Sequence, residues 1–369
     1  MAASAPPRAN RFHELDGLRG IAALAVVVSH YTGAYNSHFV EDPAAAFNFP
    51  QGAFGVQLFF LISGFVILMS ARRARVPSDF VISRLSRLYP AYWASLALAV
   101  VLMLLWPIPG FPIDLKTVLV NITMVQRWLM EPNVVDVYWT LAVEMQFYVL
   151  ILVLLYLTRS RLTPRVVYCV SGLWTLVCWG VALWAHPYTT GVDPQLVPTL
   201  PKIIINLTLA EYGPLFIAGM FLYLVRTGRL KAVWALPALA SAVGIAFLLR
   251  EPDYGLAILI VCALFTVVVL RERTGLLLWA PIQWYGRISY SLYVVHSVVG
   301  YLVIKALWPW VGRDLAMLFA LAAASLVAWA VYRIAEVHGS RLLKSGLESW
   351  RAKWTRGRRP DHPRPEASA

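Results

Sequence analysis

Two ionisable residues interrupt the first apolar run of the sequence. Residues 15–31 read LDGLRGIAALAVVVSHY, in which Arg19 and His30 stand eleven positions apart. Eleven residues of α-helix turn through about 1100°, so both side chains lie within roughly 20° of one face and about 16 Å apart. Ionisable groups in hydrocarbon are costly and usually face the protein interior. The pattern predicts one polar stripe on this helix, with Asp16 pairing with Arg19 near the membrane boundary.

A carboxylate on another apolar run is placed to work with this stripe. Glu144, in YWTLAVEMQFY, is expected at a depth like that of His30, and Thr140 and Tyr148 share its helix stripe. A histidine beside a carboxylate is the arrangement of a general base and the group that orients it. We therefore predict that His30 and Glu144 are catalytic.

Two further ionisable residues lie within apolar runs. His296 shares a helix face with Ser289 and Tyr293, and Glu211 stands near a proline that would open its helix. We predict that these four residues, together with Asp16 and Tyr148, support the site. The alternative for His296 and Glu211, and also for His30, is a role in packing helices together through hydrogen bonds.

Arginines gather where apolar runs begin. VISRLSRLYPAYW sets Arg84 and Arg87 at the start of the third run, and YGRISYS sets Arg287 at the start of the ninth. Many arginines in such positions mark topology or contact lipid headgroups. Arginine also makes bidentate contacts with phosphate, so we predict that these three residues and Arg19 bind a phosphorylated donor.

The composition indicates the class of fold that positions these residues. The chain has 369 residues, of which 59% are hydrophobic and 14% charged, a balance that excludes a soluble globular protein. The apolar runs do not alternate as barrel strands do. Runs of about 20 residues cross a bilayer, so we predict an all-α polytopic membrane protein of about ten spans. These are about 15–36, 52–71, 90–108, 138–157, 166–186, 202–225, 232–249, 255–270, 287–308 and 314–334.

The distribution of positive charge predicts the topology. The net charge of +13 does not indicate nucleic-acid binding, because the basic residues gather at alternate ends of the spans. With both termini cytoplasmic, only six of the 32 Lys and Arg fall outside: Lys116, Arg127, Lys202, Arg250, Lys305 and Arg313. The asymmetry favours a multi-pass protein of the cytoplasmic membrane with both ends inside.

Two regions are expected along the chain. Residues 1–340 form the ten-helix membrane domain, and 341–369 form a basic cytoplasmic tail. In the tail, Leu343, Leu347, Trp350 and Trp354 recur at helical spacing, which predicts an amphipathic helix on the lipid bilayer. The polar, proline-rich end after this helix is expected to be disordered.

Five stretches of the sequence, taken together, resemble the acyltransferase-3 family of integral-membrane O-acyltransferases. They are LDGLRGIAALAVVVSHY, GVQLFFLISGFVI, SRLSRLYPAYW, YWTLAVEMQFY and GRISYSLYVVH, in family order. The resemblance implies transfer of an acyl group, usually acetyl, from cytoplasmic acyl-coenzyme A to a hydroxyl of an extracytoplasmic or membrane-linked acceptor, commonly a glycan. His30 matches the family's proposed catalytic histidine and Glu144 its acidic residue. Arg19, Arg84 and Arg87 match arginines associated with the donor or with structure.

The sequence also departs from the family pattern. Gln57 stands where many relatives carry an acidic residue, and Glu336 is followed by Val337 and His338 where the family commonly has proline after one residue. We expect no metal and no permanently bound cofactor, with acetyl-CoA or another acyl-CoA as donor substrate. The sequence carries no signal for an oligomeric state.

Two other classes of protein remain open at this stage. A proton-coupled transporter or flippase of a glycan or lipid precursor would also place His and Glu within the membrane, although no repeated halves with broken helices are evident. A non-catalytic scaffold would not explain polar residues at matched depths. Transfer from acetyl-CoA by the purified protein would separate the three.

Overall fold

A computed structural model describes residues 12–192, 196–271 and 275–356. This part of the chain is helical and contains no β-strand. The first helical segment runs as α1, a π-helical turn at His30–Ala34 and α2 without interruption. A second π-helical segment, Tyr332–Gly339, joins α13 to α14. The helices are α1 His13–Ser29, α2 Tyr35–His38, α3 Gly55–Ala71, α4 Pro77–Leu105, α5 Leu115–Ile122, α6 Trp139–Leu157, α7 Pro164–Thr189, α8 Thr199–Thr208, α9 Gly213–Arg226, α10 Leu236–Leu249, α11 Pro252–Leu270, α12 Ala280–Val311, α13 Arg313–Val331 and α14 Ser340–Arg356.

Nine helical stretches in the described ranges are long and apolar enough to cross a membrane, judged by length and composition. They are Pro50–Ala71, Pro77–Leu105, Asp136–Leu157, Pro164–Thr189, Thr199–Arg226, Ala232–Leu249, Pro252–Leu270, Ala280–Val311 and Arg313–Trp354. The first predicted span is not among them. Its main helix, α1, is 17 residues long and carries Glu14, Asp16 and Arg19. The count of ten from the sequence therefore stays a prediction, and so does the cytoplasmic location of the termini.

The polar first helix lies inside the bundle rather than at its edge. It packs closely against α12, because glycines on the two helices let the backbones approach. A Cβ on Gly286 would stand 2.1 Å from the carbonyl oxygen of Asp16, and a Cβ on Gly20 would stand 2.6 Å from that of Ile282. Arg19 and His30 thus face protein, as an intramembrane charge requires.

The span predicted at 202–225 is two helices with a break between them. Leu209 adopts a left-handed backbone conformation with φ of 53°, which ends α8, and α9 begins again at Gly213. The side-chain amide of Gln146 donates to the carbonyl oxygens of Asn206 (2.9 Å) and Leu207 (2.8 Å), so it satisfies backbone groups that the break exposes. Glu211 lies within this break.

The long connection after α4 folds back against the bundle. Within it, α5 is short, and the tyrosine hydroxyls of α4 donate to the backbone that follows: Tyr92 to the carbonyl oxygen of Asn121 and Tyr89 to that of Thr123, both at 2.7 Å. Because the long helices alternate in direction, loops 72–76, 158–163 and 227–231 lie at one end, which we call the basic end. Residues 39–49 and the start of the connection after Leu105 lie at the far end, whereas Asn121 and Thr123 reach back to the level of Tyr92 and Tyr89 within α4.

The predicted tail helix is present as α14, continuous with α13 through the π-helical segment. Leu343 and Leu347 are half-buried and line a groove beside Pro90 of α4, whereas Trp350 and Trp354 are exposed and stack on each other. The guanidinium of Arg351 also binds α4. The expected boundary at residue 340 thus falls within a continuous helix, and the polar end at 357–369 lies outside the described residues.

Candidate active site

His30 is the first residue of the π-helical turn that follows α1. Such single turns are frequent at functional sites, because the extra residue re-aims the side chains around it. The Nδ1 of His30 lies 2.9 Å from the carbonyl oxygen of Val26, which can only accept a hydrogen bond. Nδ1 therefore carries the proton, and Nε2 of the neutral ring is left with a lone pair. The local fold presents Nε2 as a base.

Nε2 of His30 faces a small cavity that we call the histidine chamber. The chamber has an empty volume of about 560 Å³. Asp136, in the turn just before α6, is its carboxylate, with Oδ2 4.0 Å from Nε2 of His30. In the described part of the chain no group of three or more His, Cys, Asp and Glu side chains could hold a metal ion. The chamber is lined by His30, Ala53, Val56, Gln57, Asp136, Val137, Trp139 and Tyr293.

A second histidine approaches the same carboxylate from the end of α2. Nε2 of His38 lies 3.8 Å from Oδ2 of Asp136, and Nδ1 donates to the carbonyl oxygen of Pro109 at 2.8 Å. The interaction with Asp136, helped by the Pro109 carbonyl, raises the pKa of His38 above its ordinary value, although burial alone would lower it. His38 thus favours the imidazolium form.

His296 packs against the ring of His30. It is fully buried on α12, and the two imidazoles meet edge to face with centroids 4.9 Å apart. Its Nδ1 donates to the carbonyl oxygen of Tyr293 at 2.8 Å, and the hydroxyl of Tyr31 donates to the carbonyl oxygen of His296 at 3.0 Å. The structure therefore brings His296 to the site as a packing partner of His30.

A second cavity, which we call the arginine chamber, lies toward the basic end. Its empty volume is about 710 Å³. Arg19 of α1 and Arg84 and Arg87 of α4 line it with one carboxylate, Glu144, so the charged lining carries more positive than negative charge. The lining is Arg19, Val56, Phe59, Phe60, Ile62, Ser63, Val66, Ile67, Arg84, Arg87, Leu88, Thr140, Leu141, Glu144, Tyr148, Ser289, Tyr290 and Tyr293.

The contacts of Glu144 correct its expected pairing with His30. Oε1 of Glu144 accepts hydrogen bonds from the hydroxyls of Ser63 (2.5 Å) and Tyr148 (2.6 Å), both in the arginine chamber. The carboxylate beside His30 is Asp136. Equal depth on two helices does not fix how each helix is rotated, and α6 turns Glu144 toward α3 and α4. A catalytic role for Glu144 stays a prediction.

Two of the three arginines of this chamber have polar or charged partners nearby. Arg84 is buried, and its guanidinium donates to the hydroxyl of Ser70 at 2.9 Å. Arg19 interacts electrostatically with Asp16 and Glu336. Glu336 is fixed by a 2.8 Å hydrogen bond from the hydroxyl of Ser291. These contacts help to hold Arg84 and Arg19 at the chamber wall.

The two chambers adjoin. Val56 of α3 and Tyr293 of α12 line both of them. The hydroxyl of Tyr293 lies 2.9 Å from the hydroxyl of Thr140, which itself donates to the carbonyl oxygen of Val137 at 3.0 Å. A phenol is thus fixed where the arginine chamber meets the chamber of His30.

Of the remaining predicted site residues, two lie at the site and two do not. Ser289 and Tyr148 line the arginine chamber. Arg287 is exposed and does not line it. Glu211 forms an ion pair with Arg250, at 2.9 Å and 3.1 Å, which bridges the break after α8 to the end of α10. The structure therefore does not bring Arg287 or Glu211 to the site.

Sequence reasoning missed Asp136, His38 and the contacts of Glu336. Asp136 and His38 lie at the ends of membrane helices, where charged residues are ordinary, so neither draws attention as a buried charge. The available signal for Asp136 was its position three residues before Trp139, beside the stretch that carries Glu144. For His38 it was the interval of eight residues from His30, about two helical turns.

Comparisons with known proteins give the family of the chain. Residues 12–333 match the acyltransferase-3 family, which is described as an acyltransferase domain. Acyltransferase MdmB of Streptomyces mycarofaciens is 28% identical over 372 aligned positions, covering 91% of each protein. Exopolysaccharide production protein ExoZ of Rhizobium meliloti is 29% identical over 307 positions, 78% of this chain and 90% of ExoZ.

A third relative is matched over part of its length. O-acetyltransferase OatA of Staphylococcus aureus is 24% identical over 313 positions, which cover 76% of this chain and 49% of OatA. No solved structure matches the chain. Because the family match spans most of the sequence, including the stretches that carry Arg19, His30 and Glu144, the chain belongs to the acyltransferase-3 family of integral-membrane acyltransferases and is an O-acyltransferase.

Proposed function

We propose that the protein transfers an acyl group, acetyl by default, from cytoplasmic acyl-CoA to a hydroxyl of an extracytoplasmic or membrane-linked glycan. The observation that carries this proposal is the adjoining pair of chambers. One is lined by three arginines and the other by a histidine with an unprotonated nitrogen, and they meet at Val56 and Tyr293. A donor and an acceptor can therefore enter from opposite ends and meet at one point.

The arginine chamber suits the donor. Coenzyme A carries phosphates at one end and a thioester at the end of a thin pantetheine arm. Arg84 and Arg87 can bind phosphate oxygens, which arginine does bidentately. The apolar part of the lining suits the arm, which then directs the thioester carbonyl toward the junction at Tyr293.

The histidine chamber suits the acceptor. As the acceptor oxygen attacks the thioester carbonyl, Nε2 of His30 takes its proton, and the imidazolium that forms is stabilised by the carboxylate of Asp136. The hydroxyl of Tyr293 turns its proton from the oxygen of Thr140 to the developing oxyanion, which accepts the hydrogen bond. When the C–S bond breaks, His30 returns the proton to the leaving thiolate, so the step needs no other proton donor.

The choice of a glycan acceptor draws on the relatives. ExoZ is an exopolysaccharide production protein and OatA an O-acetyltransferase by name. The first name fits a polysaccharide acceptor, and the second fits transfer of an acetyl group to a hydroxyl. The excess of basic residues at the basic end supports a cytoplasmic position for that end, in the cytoplasmic membrane, and hence for donor entry.

The test uses the purified full-length protein in liposomes with radiolabelled acetyl-CoA. Membrane glycans and lipid extracts of the host serve as acceptors, and a deletion strain is compared with its parent by mass spectrometry. We expect label to enter an acceptor fraction as an alkali-labile ester and the same ester to be missing from the deletion strain. Release of free CoA without any acylated product, or identical glycans and lipids in both strains, would contradict the proposal.

A further inference from the structure

Two imidazole rings lie beside Asp136, but only one of its two carboxylate oxygens faces them. Oδ1 accepts a hydrogen bond of 2.7 Å from the backbone N–H of Val137. Oδ2 faces Nε2 of His38 at 3.8 Å and Nε2 of His30 at 4.0 Å. The two rings therefore compete for a single oxygen atom.

The surroundings of His38 decide which ring is charged. Its Nδ1 faces the carbonyl oxygen of Pro109 and its Nε2 faces Asp136, so both nitrogens meet acceptors. An imidazole satisfies two acceptors only when both nitrogens are protonated. His30 has the same pattern of contacts, but one carboxylate can neutralise only one imidazolium, and Nε2 of His38 is the nearer to Oδ2 of Asp136, at 3.8 Å against 4.0 Å. The other groups against the ring are Phe111, at 4.6 Å between centroids, and Tyr301, at 5.5 Å, and neither carries a charge at neutral pH.

We propose that His38 is a positioning residue that, as an imidazolium, holds Asp136 and keeps Nε2 of His30 free to take the acceptor's proton. The inference rests on the proposed function, because it assigns His30 the role of base. With His38 neutral or removed, Oδ2 of Asp136 is left to His30 alone. His30 then forms a lasting ion pair in its protonated form, which has no lone pair to act as a base.

The sign of the pH dependence follows from the direction of the shift at His38. Its pKa is raised, so its charge is fully present below the ordinary value of about 6.5 and is lost only as the pH rises through the higher folded value. His38 therefore keeps its charge to higher pH than an ordinary imidazole does. Any effect of removing it appears on the acid limb of the pH–rate profile.

The experiment measures kcat/KM for transfer between about pH 5.5 and 9 with His38→Gln and His38→Asn. The side-chain amide of asparagine can still donate a hydrogen bond to the carbonyl oxygen of Pro109. His38→Asn therefore replaces His38→Gln in the experiment if the glutamine variant does not fold. We expect the acid limb to move to higher pH by on the order of one unit, with about tenfold lower transfer near pH 6.5 and recovery at alkaline pH. In an Asp136→Asn background the same substitution should no longer move the limb.

A matched control is His186→Gln. His186 also bonds a backbone carbonyl, that of Leu248, but its other contact is the hydroxyl of Thr190 rather than a carboxylate. It should leave the profile unchanged. A loss of the same size at every pH, or an unmoved acid limb, would overturn the role of His38. No transfer from acyl-CoA by the wild-type protein would contradict the proposed function itself, and retained transfer in His30→Ala would contradict the role of His30 as the base. Lost transfer in His30→Ala together with an unmoved acid limb in the His38 variants would refute only the role of His38.

Discussion

Replacing Asp136 with Asn tests the carboxylate that the structure places beside the base. Asparagine is nearly the same size, and its side-chain oxygen can still accept the N–H of Val137 that Oδ1 accepts at 2.7 Å. The substitution therefore removes the charge while leaving the turn before α6 in place. We expect the protein to remain inserted and monodisperse, with its thermal unfolding little changed.

The size of the effect follows from the distance. A charge pair separated by the 4.0 Å between Asp136 and His30 is worth about 4 kcal/mol at an effective dielectric constant of about 20. Because Asp136 is shared with His38, part of that interaction is already used, and about 2.7 kcal/mol is a reasonable share, which corresponds to about 100-fold in rate. The loss should appear in kcat, since the imidazolium forms only during transfer.

The assay measures initial rates of acyl transfer in liposomes together with the equilibrium affinity for acyl-CoA. Glu131→Gln is the matched control, because Glu131 is a carboxylate five positions earlier whose ion-pair partner is Lys116. The control should retain normal transfer. Transfer by Asp136→Asn within about fivefold of wild type, well short of the loss expected of a charge at this distance, would refute the reasoning from the structure.

The remaining predictions concern the donor and the oxyanion. Arg84→Ala should raise the KM for acyl-CoA more than that for the acceptor, by about tenfold or more, since a charge-assisted contact is worth about 1.5–3 kcal/mol, whereas Arg73→Ala, at an exposed position in the adjacent loop, should change neither. An effect on protein yield alone would make Arg84 a topology marker. Tyr293→Phe keeps the ring but should lower kcat by about 100-fold with donor affinity intact, the usual effect of removing one oxyanion donor. Unchanged kcat would exclude that role.

Part of the site was predictable because it lies on strongly patterned helices. Arg19 and His30 share a stripe at helical spacing within an apolar run, and Arg84 and Arg87 stand at the start of another run. Both sets line chambers in the structure. Periodicity and hydropathy are local properties, so they can be read from a single sequence.

The pairings between helices could not be predicted. Glu144 was expected at the same depth as His30, but depth does not determine how α6 is rotated about its axis. Its carboxylate instead accepts a hydrogen bond from the hydroxyl of Ser63. Asp136 lies near His30 in the turn just before α6, where helical periodicity gives no signal. Glu211 meets Arg250 across 39 positions of sequence because the helix breaks at Leu209. Such contacts arise from packing rather than from local pattern.

The most direct measurement compares donor binding with turnover in His30→Gln and His30→Ala, in the full-length protein in liposomes. One imidazole contributes little to a bundle of this size, so both variants should insert normally and bind acyl-CoA with wild-type affinity. Without a base, transfer should fall by about 100-fold or more in both. Normal donor affinity with lost turnover is the expected result. Near-normal turnover in either variant would contradict the assignment of His30 as the base and leave it a packing residue against His296.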